Sequence, residues 1–138
     1  MHKRIVLAIV AIVIICILCF KLKKSHDNEY VEYCYQIYQE VKDTEFKYAK
    51  FDDKNLIFYD TNRNEISRME YTNYKPSFKI IYIENNDDTI VFWSSGSLDD
   101  GSGILFVKDE QINGALDGIK TLKRNGGASY WFSTYGSY

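Results

Sequence analysis

The side chains best suited to chemistry are concentrated in a ten-residue string, Ser94–Gly103. It holds four serines, three glycines and two adjacent aspartates, and it lies between two apolar runs. Hard cations such as Ca²⁺ bind several oxygen ligands at once, and small polar ligands use the same hydroxyl and carboxylate groups. The string therefore predicts a ligand-binding or cation-binding loop. Its candidate residues are Ser95, Ser97, Asp99, Asp100 and Ser102.

The same string has a second interpretation, as a plain hairpin connection. Its spacing is not that of an EF-hand loop, which ends in Glu, and no G-K-[ST] follows as in a phosphate loop. Glycine supplies positive φ in turns, and Asp and Ser side chains hydrogen bond to nearby backbone. A hairpin connection would use all of these residue types without binding anything, so both interpretations stay open.

Catalysis and metal binding that depend on histidine are excluded after residue 26. The two histidines, His2 and His26, flank the N-terminal apolar segment, and Cys34 is the only cysteine after residue 20. Ser-His-Asp and Cys-His catalysis need an imidazole base, and a thiolate zinc site needs several cysteines. The carboxylate pairs Asp52-Asp53 and Asp87-Asp88 fall in predicted turns, where Asp is common for backbone reasons. The sequence predicts a non-enzymatic protein without a cofactor or a metal.

Aromatic residues are dense near the C-terminus of the sequence. Tyr130-Trp131-Phe132 is followed by Tyr135 and Tyr138. Rings on an exposed sheet face stack on sugars or contact a partner strand, whereas rings facing inward fill a core. We expect core filling for most of these rings. Trp131, Tyr135 and Tyr138 are the candidates for partner contacts.

The elements that must position these residues begin with an apolar segment. Ile5–Phe20 is uninterrupted by any polar residue, and Leu22 extends the run past Lys21. At ~1.5 Å per residue a helix over Ile5–Leu22 is about 27 Å long, close to the ~30 Å of a bilayer hydrocarbon core. Five basic residues flank it and can reach the lipid headgroups: Lys3, Arg4, Lys21, Lys23 and Lys24. Residues 1–24 are predicted to be a membrane anchor.

The anchor is predicted to remain uncleaved. Signal peptidase needs small residues at its cleavage site, and the run ends in Ile17-Leu18-Cys19-Phe20. The basic flanks are nearly balanced, so the positive-inside rule decides little. A short basic N-terminus before an apolar run resembles a secretory start signal, and large acidic domains translocate readily. We expect a single-pass protein of the cell membrane with its domain on the extracytoplasmic side.

Residues 25–138 have the composition of one folded domain. Five of the 17 basic residues and none of the 19 acidic ones precede residue 25, so this region carries a net charge of −7. That charge excludes a basic nucleic-acid binder. The aromatic content of 16% excludes a disordered chain.

The pattern after the anchor predicts an α+β fold. Tyr30, Cys34, Ile37 and Val41 recur at helical spacing, which indicates an amphipathic helix. From residue 44 onward short β-rich runs alternate with polar turns, which predicts an antiparallel meander of about six or seven strands under that helix. This element order resembles the helix-on-curved-sheet plan of cystatin-like rolls. The resemblance concerns architecture and implies no function.

Three functions fit this organisation. Abundant Ile, Lys, Asn and Tyr with a single proline, Pro76, is typical of AT-rich bacteria. The leading hypothesis is a membrane-anchored interaction or binding module at the bacterial cell envelope, with an envelope protein as partner. One alternative is a small-ligand or cation-binding protein, or an enzyme, that uses the Ser94–Gly103 string. Another is an immunity or toxin-neutralising protein whose acidic domain meets a basic partner.

Overall fold

The computed structural model describes the backbone of residues 2–97, 100–108, 119–126 and 129–134, and the side chains of 5–95, 101–108, 131 and 132. Within these residues one helix is followed by eight strands. The elements are α1 (His2–Val41), β1 (Tyr48–Asp52), β2 (Asn55–Tyr59), β3 (Glu65–Glu70), β4 (Tyr82–Asn85), β5 (Thr89–Ser97), β6 (Asp100–Val107), β7 (Ile119–Gly126) and β8 (Ser129–Thr134). Every described strand pair is antiparallel, which confirms the predicted α+β class.

A single helix replaces the two that the sequence pattern predicts. α1 runs without a break through 40 residues. No glycine or proline occurs before residue 42, so nothing interrupts the ladder of backbone hydrogen bonds. Ser25 and Asp27, which could have capped a second helix, lie inside the helix instead. α1 ends where the Thr44 N–H donates to the Val41 carbonyl, at 2.9 Å.

The first part of α1 is long and apolar enough to cross a membrane, judged by length and composition. None of the residues in its most apolar 18-residue window is buried. Large side chains along it are more than half exposed, among them Leu7 at 75% and Phe20 at 71%. The described chain divides into two compact units, Met1–Tyr33 and Cys34–Tyr138.

The sheet departs from a simple meander at two places. Its strand order is β3-β2-β1-β4-β5-β6-β8-β7. After two hairpins through β3, the chain returns to pair β4 with the open side of β1. At the other end β8 inserts between β6 and β7. These two long-range pairings bring strand ends together that are far apart in the sequence.

One face of the sheet carries a continuous buried row. Cross-strand register places Phe58, Ala49, Ile83, Phe92 and Ile104 side by side on five adjacent strands. Each of these side chains is at most 2% exposed. Each large aliphatic or aromatic side chain buried in this way contributes roughly 1.5–3 kcal/mol to stability. This row forms the centre of the domain core.

The C-terminal turns of α1 pack on the same face of the sheet. Cys34, Ile37 and Val41 are fully buried at helical spacing, as the sequence pattern predicts. The Tyr38 ring stacks on Phe106 of β6, with the ring centroids 4.8 Å apart. These contacts fix the end of the helix to the middle of the sheet.

The opposite face carries a row of rings that lies over two glycines. Tyr82 stacks on Trp93 at 5.7 Å, and Phe132 meets Trp93 edge to face at 4.9 Å. A Cβ on Gly101 would lie 2.6 Å from Cζ3 of Trp93, and one on Gly103 would lie 1.9 Å from the Phe92 carbonyl oxygen. Only glycine therefore fits at these two positions of β6.

Substitution of Gly103 tests this close approach. Because the obstacle is backbone that cannot rotate away, Gly103→Ala should lower the free energy of unfolding by at least about 2 kcal/mol. Urea unfolding of the full chain in detergent measures the loss. Ser67→Ala on the exposed strand β3 is the control, and an equal effect of the two substitutions would contradict the close approach.

Candidate functional site

The predicted serine and aspartate loop is largely part of two paired strands. β5 continues to Ser97, and β6 begins at Asp100. The structure brings together Ser95 and Ser102, whose hydroxyl oxygens are 2.6 Å apart, while the Ser94 hydroxyl donates to the Ser102 carbonyl at 3.0 Å. The hydroxyls thus join the two strands to each other. Asp99 lies outside the described residues, as do the side chains of Ser97 and Asp100, so the ligand-loop hypothesis stays a prediction.

The predicted partner-contact aromatics are only partly described. Trp131 is half-buried and pairs with Ile104, on the face of the sheet that carries the buried row. Tyr135 and Tyr138 lie outside the described residues. Their role in partner contacts stays a prediction.

A polar cleft lies where several strand ends meet. It has a volume of about 680 Å³ and is lined by the residues just before β1, just after β2 and just after β6, by one residue of β3 and by the β4–β5 turn. A concave site with converging polar groups is the default location for ligand binding. The lining residues are Glu45, Phe46, Lys47, Asp60, Thr61, Ile66, Asn85, Asn86, Asp87 and Lys108.

Two lysines hold the β4–β5 turn at one side of the polar cleft. The Lys108 ammonium donates to Asn85 Oδ1 at 2.5 Å and to the Asn86 carbonyl at 3.0 Å. The Lys47 ammonium donates to Asn86 Oδ1 at 2.8 Å and to the Asn85 carbonyl at 3.4 Å. The four oxygens of this turn resemble a cation-binding loop, but the two ammonium groups already occupy them.

Carboxylates supply the opposite charge elsewhere along the polar cleft. Two hydrogen bonds from Asn64, from its backbone N–H at 2.9 Å and its side-chain amide at 3.2 Å, hold the pKa of Asp60 below its ordinary value. Asp60 is therefore negatively charged at neutral pH. Glu45 and Asp87 are exposed, and their carboxylates form no hydrogen bond or ion pair within the described part of the chain.

Glu84 links the polar cleft to the aromatic row. Its carboxylate accepts a hydrogen bond from the Trp93 indole at 3.3 Å and lies 3.8 Å from the Lys47 ammonium. Burial, and then the charge of Glu84, raise the pKa of Tyr82. The Trp93 ring is thus oriented by the same carboxylate that attracts Lys47.

Among the described residues, no group of three His, Cys, Asp or Glu side chains is placed to hold a metal ion. Comparison with protein-family models, with curated proteins and with solved structures finds no match to this chain. The chemistry of the polar cleft therefore rests on the side chains that line it.

Sequence reasoning missed the polar cleft because its residues are far apart in the chain. Lys47 and Lys108 reach the same turn from 39 and 22 positions away. Asn85-Asn86-Asp87-Asp88 was predictable as a turn, since these residue types favour turns. A signal that could have drawn attention to it is the position of the two lysines, since Lys47 directly precedes one β-rich run and Lys108 directly follows another.

Removal of one lysine tests the role of this turn in stability. Lys108→Met keeps the aliphatic stem but leaves two turn oxygens without their donor, so the free energy of unfolding should fall by about 1–2 kcal/mol. Lys50→Met, on the exposed side of β1, should change it by less than about 0.5 kcal/mol. Chemical unfolding of the full chain measures both values. Equal values would contradict the role of Lys108 in holding the β4–β5 turn.

The raised pKa of Tyr82 predicts a loss of stability in alkali. Tyrosines of the unfolded chain ionise at pH ~10, whereas Tyr82 in the folded protein ionises at a higher pH. The stabilisation that Tyr82 gives to the folded state is therefore complete below that pH and is lost as the pH rises through the pKa of Tyr82 in the folded protein. Tyr82→Phe should reduce the fall in unfolding free energy between about pH 9 and 11. Glu84→Gln should also reduce this fall, because it removes a negative charge that raises the pKa of Tyr82. If the unfolding free energy of both variants falls as much as that of the wild type, Tyr82 is not the cause of the loss.

Proposed function

We propose that this protein is a single-pass, membrane-anchored, non-enzymatic binding module of the bacterial cell envelope. The observation that carries the proposal is the exposure of the apolar part of α1, from Ile5 to Leu22. Apolar surface of this extent is unfavourable in water. In the hydrocarbon core of a membrane the same helix satisfies its own backbone hydrogen bonds, and its apolar side chains contact lipid chains instead of water.

The charge of the flanks supports the anchor. Lys21, Lys23 and Lys24 lie at the end of the apolar run, as headgroup-contacting residues do. We further propose that the segment is an uncleaved signal anchor and that residues 25–138 lie outside the cytoplasm. The length of that region is no obstacle, because long domains are translocated largely regardless of their charge.

The polar cleft supports binding as the activity of the domain. Residues 27–138 contain no histidine, so acid–base or nucleophilic catalysis would lack its commonest base. The polar cleft nevertheless holds charged groups of both signs around a sizeable volume. The likeness in element order to cystatin-like rolls belongs to this proposal as an architectural expectation.

Paired cysteine substitutions test the topology. Cys34 is fully buried, so a reporter thiol is needed. Asn62, exposed between β2 and β3, is a suitable position. Asn62→Cys should react with a membrane-impermeant maleimide in intact cells because the domain is outside. Lys3→Cys should react only after permeabilisation.

The unsubstituted protein is the control for background labelling. Its Cys16 and Cys19 lie in the apolar run, and Cys34 becomes reactive only on unfolding. If Asn62→Cys reacts only in permeabilised cells while Lys3→Cys reacts in intact ones, the proposed orientation is wrong. Equal reaction of both in intact cells would contradict a single span.

A further inference from the structure

The polar cleft holds charged groups of both signs that form no ion pair with each other in the described part of the chain. Lys108 donates only to the neutral oxygens of Asn85 and Asn86, and no carboxylate pairs with it in the described structure. Glu45 and Asp87 line the same volume, and their carboxylates have no cationic partner among the described side chains. Opposite charges that share a polar cleft without pairing favour a ligand that carries both signs.

Each side of the polar cleft can still form bonds to a ligand. An ammonium group has three donors, and the two hydrogen bonds of Lys108 leave one donor for an incoming anion. The carboxylates of Glu45 and Asp87 retain acceptor capacity for an incoming ammonium group. Charge-assisted hydrogen bonds of both kinds are stronger than neutral ones.

An apolar surface lies within the same polar cleft. Ile66 of β3 is 49% exposed, and Phe46, which lines the same cleft, is 7% exposed. An exposed isoleucine next to charged groups can contact an aliphatic side chain of a bound molecule. A ligand with an aliphatic part would bury it on this surface.

We propose that the polar cleft binds a short zwitterionic peptide, one with a free carboxylate and a free ammonium group. The peptide carboxylate binds the Lys108 ammonium, with Lys47 beside it. The peptide ammonium binds Asp87 and Glu45, and an aliphatic side chain lies on Ile66. This inference names the ligand class for the proposed binding module and therefore rests on that proposal.

The test is calorimetric titration of the full chain in detergent with the tripeptide Ala-Leu-Ala. Its N-acetylated and C-amidated forms each lose one charge. Saturable binding of the free tripeptide at millimolar concentration is expected, with each capped form binding about tenfold more weakly. No saturable binding of the free form, or equal binding of all three forms, would overturn the proposal.

Two variants of one turn supply a matched control. Asp87→Asn should weaken binding of the free tripeptide by about tenfold. It should leave binding of the N-acetylated form unchanged, because that form has no ammonium group to pair with Asp87. Asp88→Asn makes the same charge change next to it but outside the lining of the polar cleft, so binding should stay as in the unsubstituted protein. Equal effects of the two variants would overturn the assignment of Asp87. These titrations can fail while the labelling result stands, so the ligand class and the membrane topology are tested separately.

Discussion

The apolar run of α1 is the constraint on which the rest of this molecule depends. From Ile5 to Leu22 the helix exposes hydrocarbon side chains around its whole circumference, and none of its most apolar window is buried. A helix that packs one side on the core of a small domain would show an apolar stripe and a polar face. Because its side chains stay exposed, this run adds nothing to the buried core. That core must come from the sheet and from the last turns of the helix.

The sheet supplies its core through cross-strand register. Phe58, Ala49, Ile83, Phe92 and Ile104 form one buried row although they come from five strands. A shift of one residue in any strand would turn its apolar set to the other face. The two glycines of β6 have a related role on the opposite face, because they let Trp93 and the backbone of β5 approach closely. The register therefore determines both faces of the domain.

The polar cleft follows from the same topology. Pairing of β4 with β1 carries Lys47 to the β4–β5 turn, and the end of β6 brings Lys108 to it. Two protonated amines then satisfy the oxygens of a turn that would otherwise face water or a cation. Carboxylates on neighbouring strand ends keep the opposite charge within the same volume. The charged groups of the polar cleft thus come from an arrangement that also holds the strand ends together.

Local patterns were enough to predict part of this structure. Helical spacing of Cys34, Ile37 and Val41 located the packed end of α1, and alternating polar turns located most strands. Two features escaped because they depend on distant pairing: the insertion of β8 beside β6 and the convergence of both lysines on one turn. The continuity of α1 was missed for a different reason, since residues such as Ser25 and Asp27 favour helix caps but do not interrupt a helix.

The proposed retention of the apolar run as a membrane anchor can be tested by intact mass spectrometry of the protein recovered from bacterial membranes after an alkaline carbonate wash, which removes peripheral proteins. The protein should stay in the membrane, and its mass should include the whole of residues 5–22. Release of the protein by the wash, or a mass that begins after the apolar run, would contradict it.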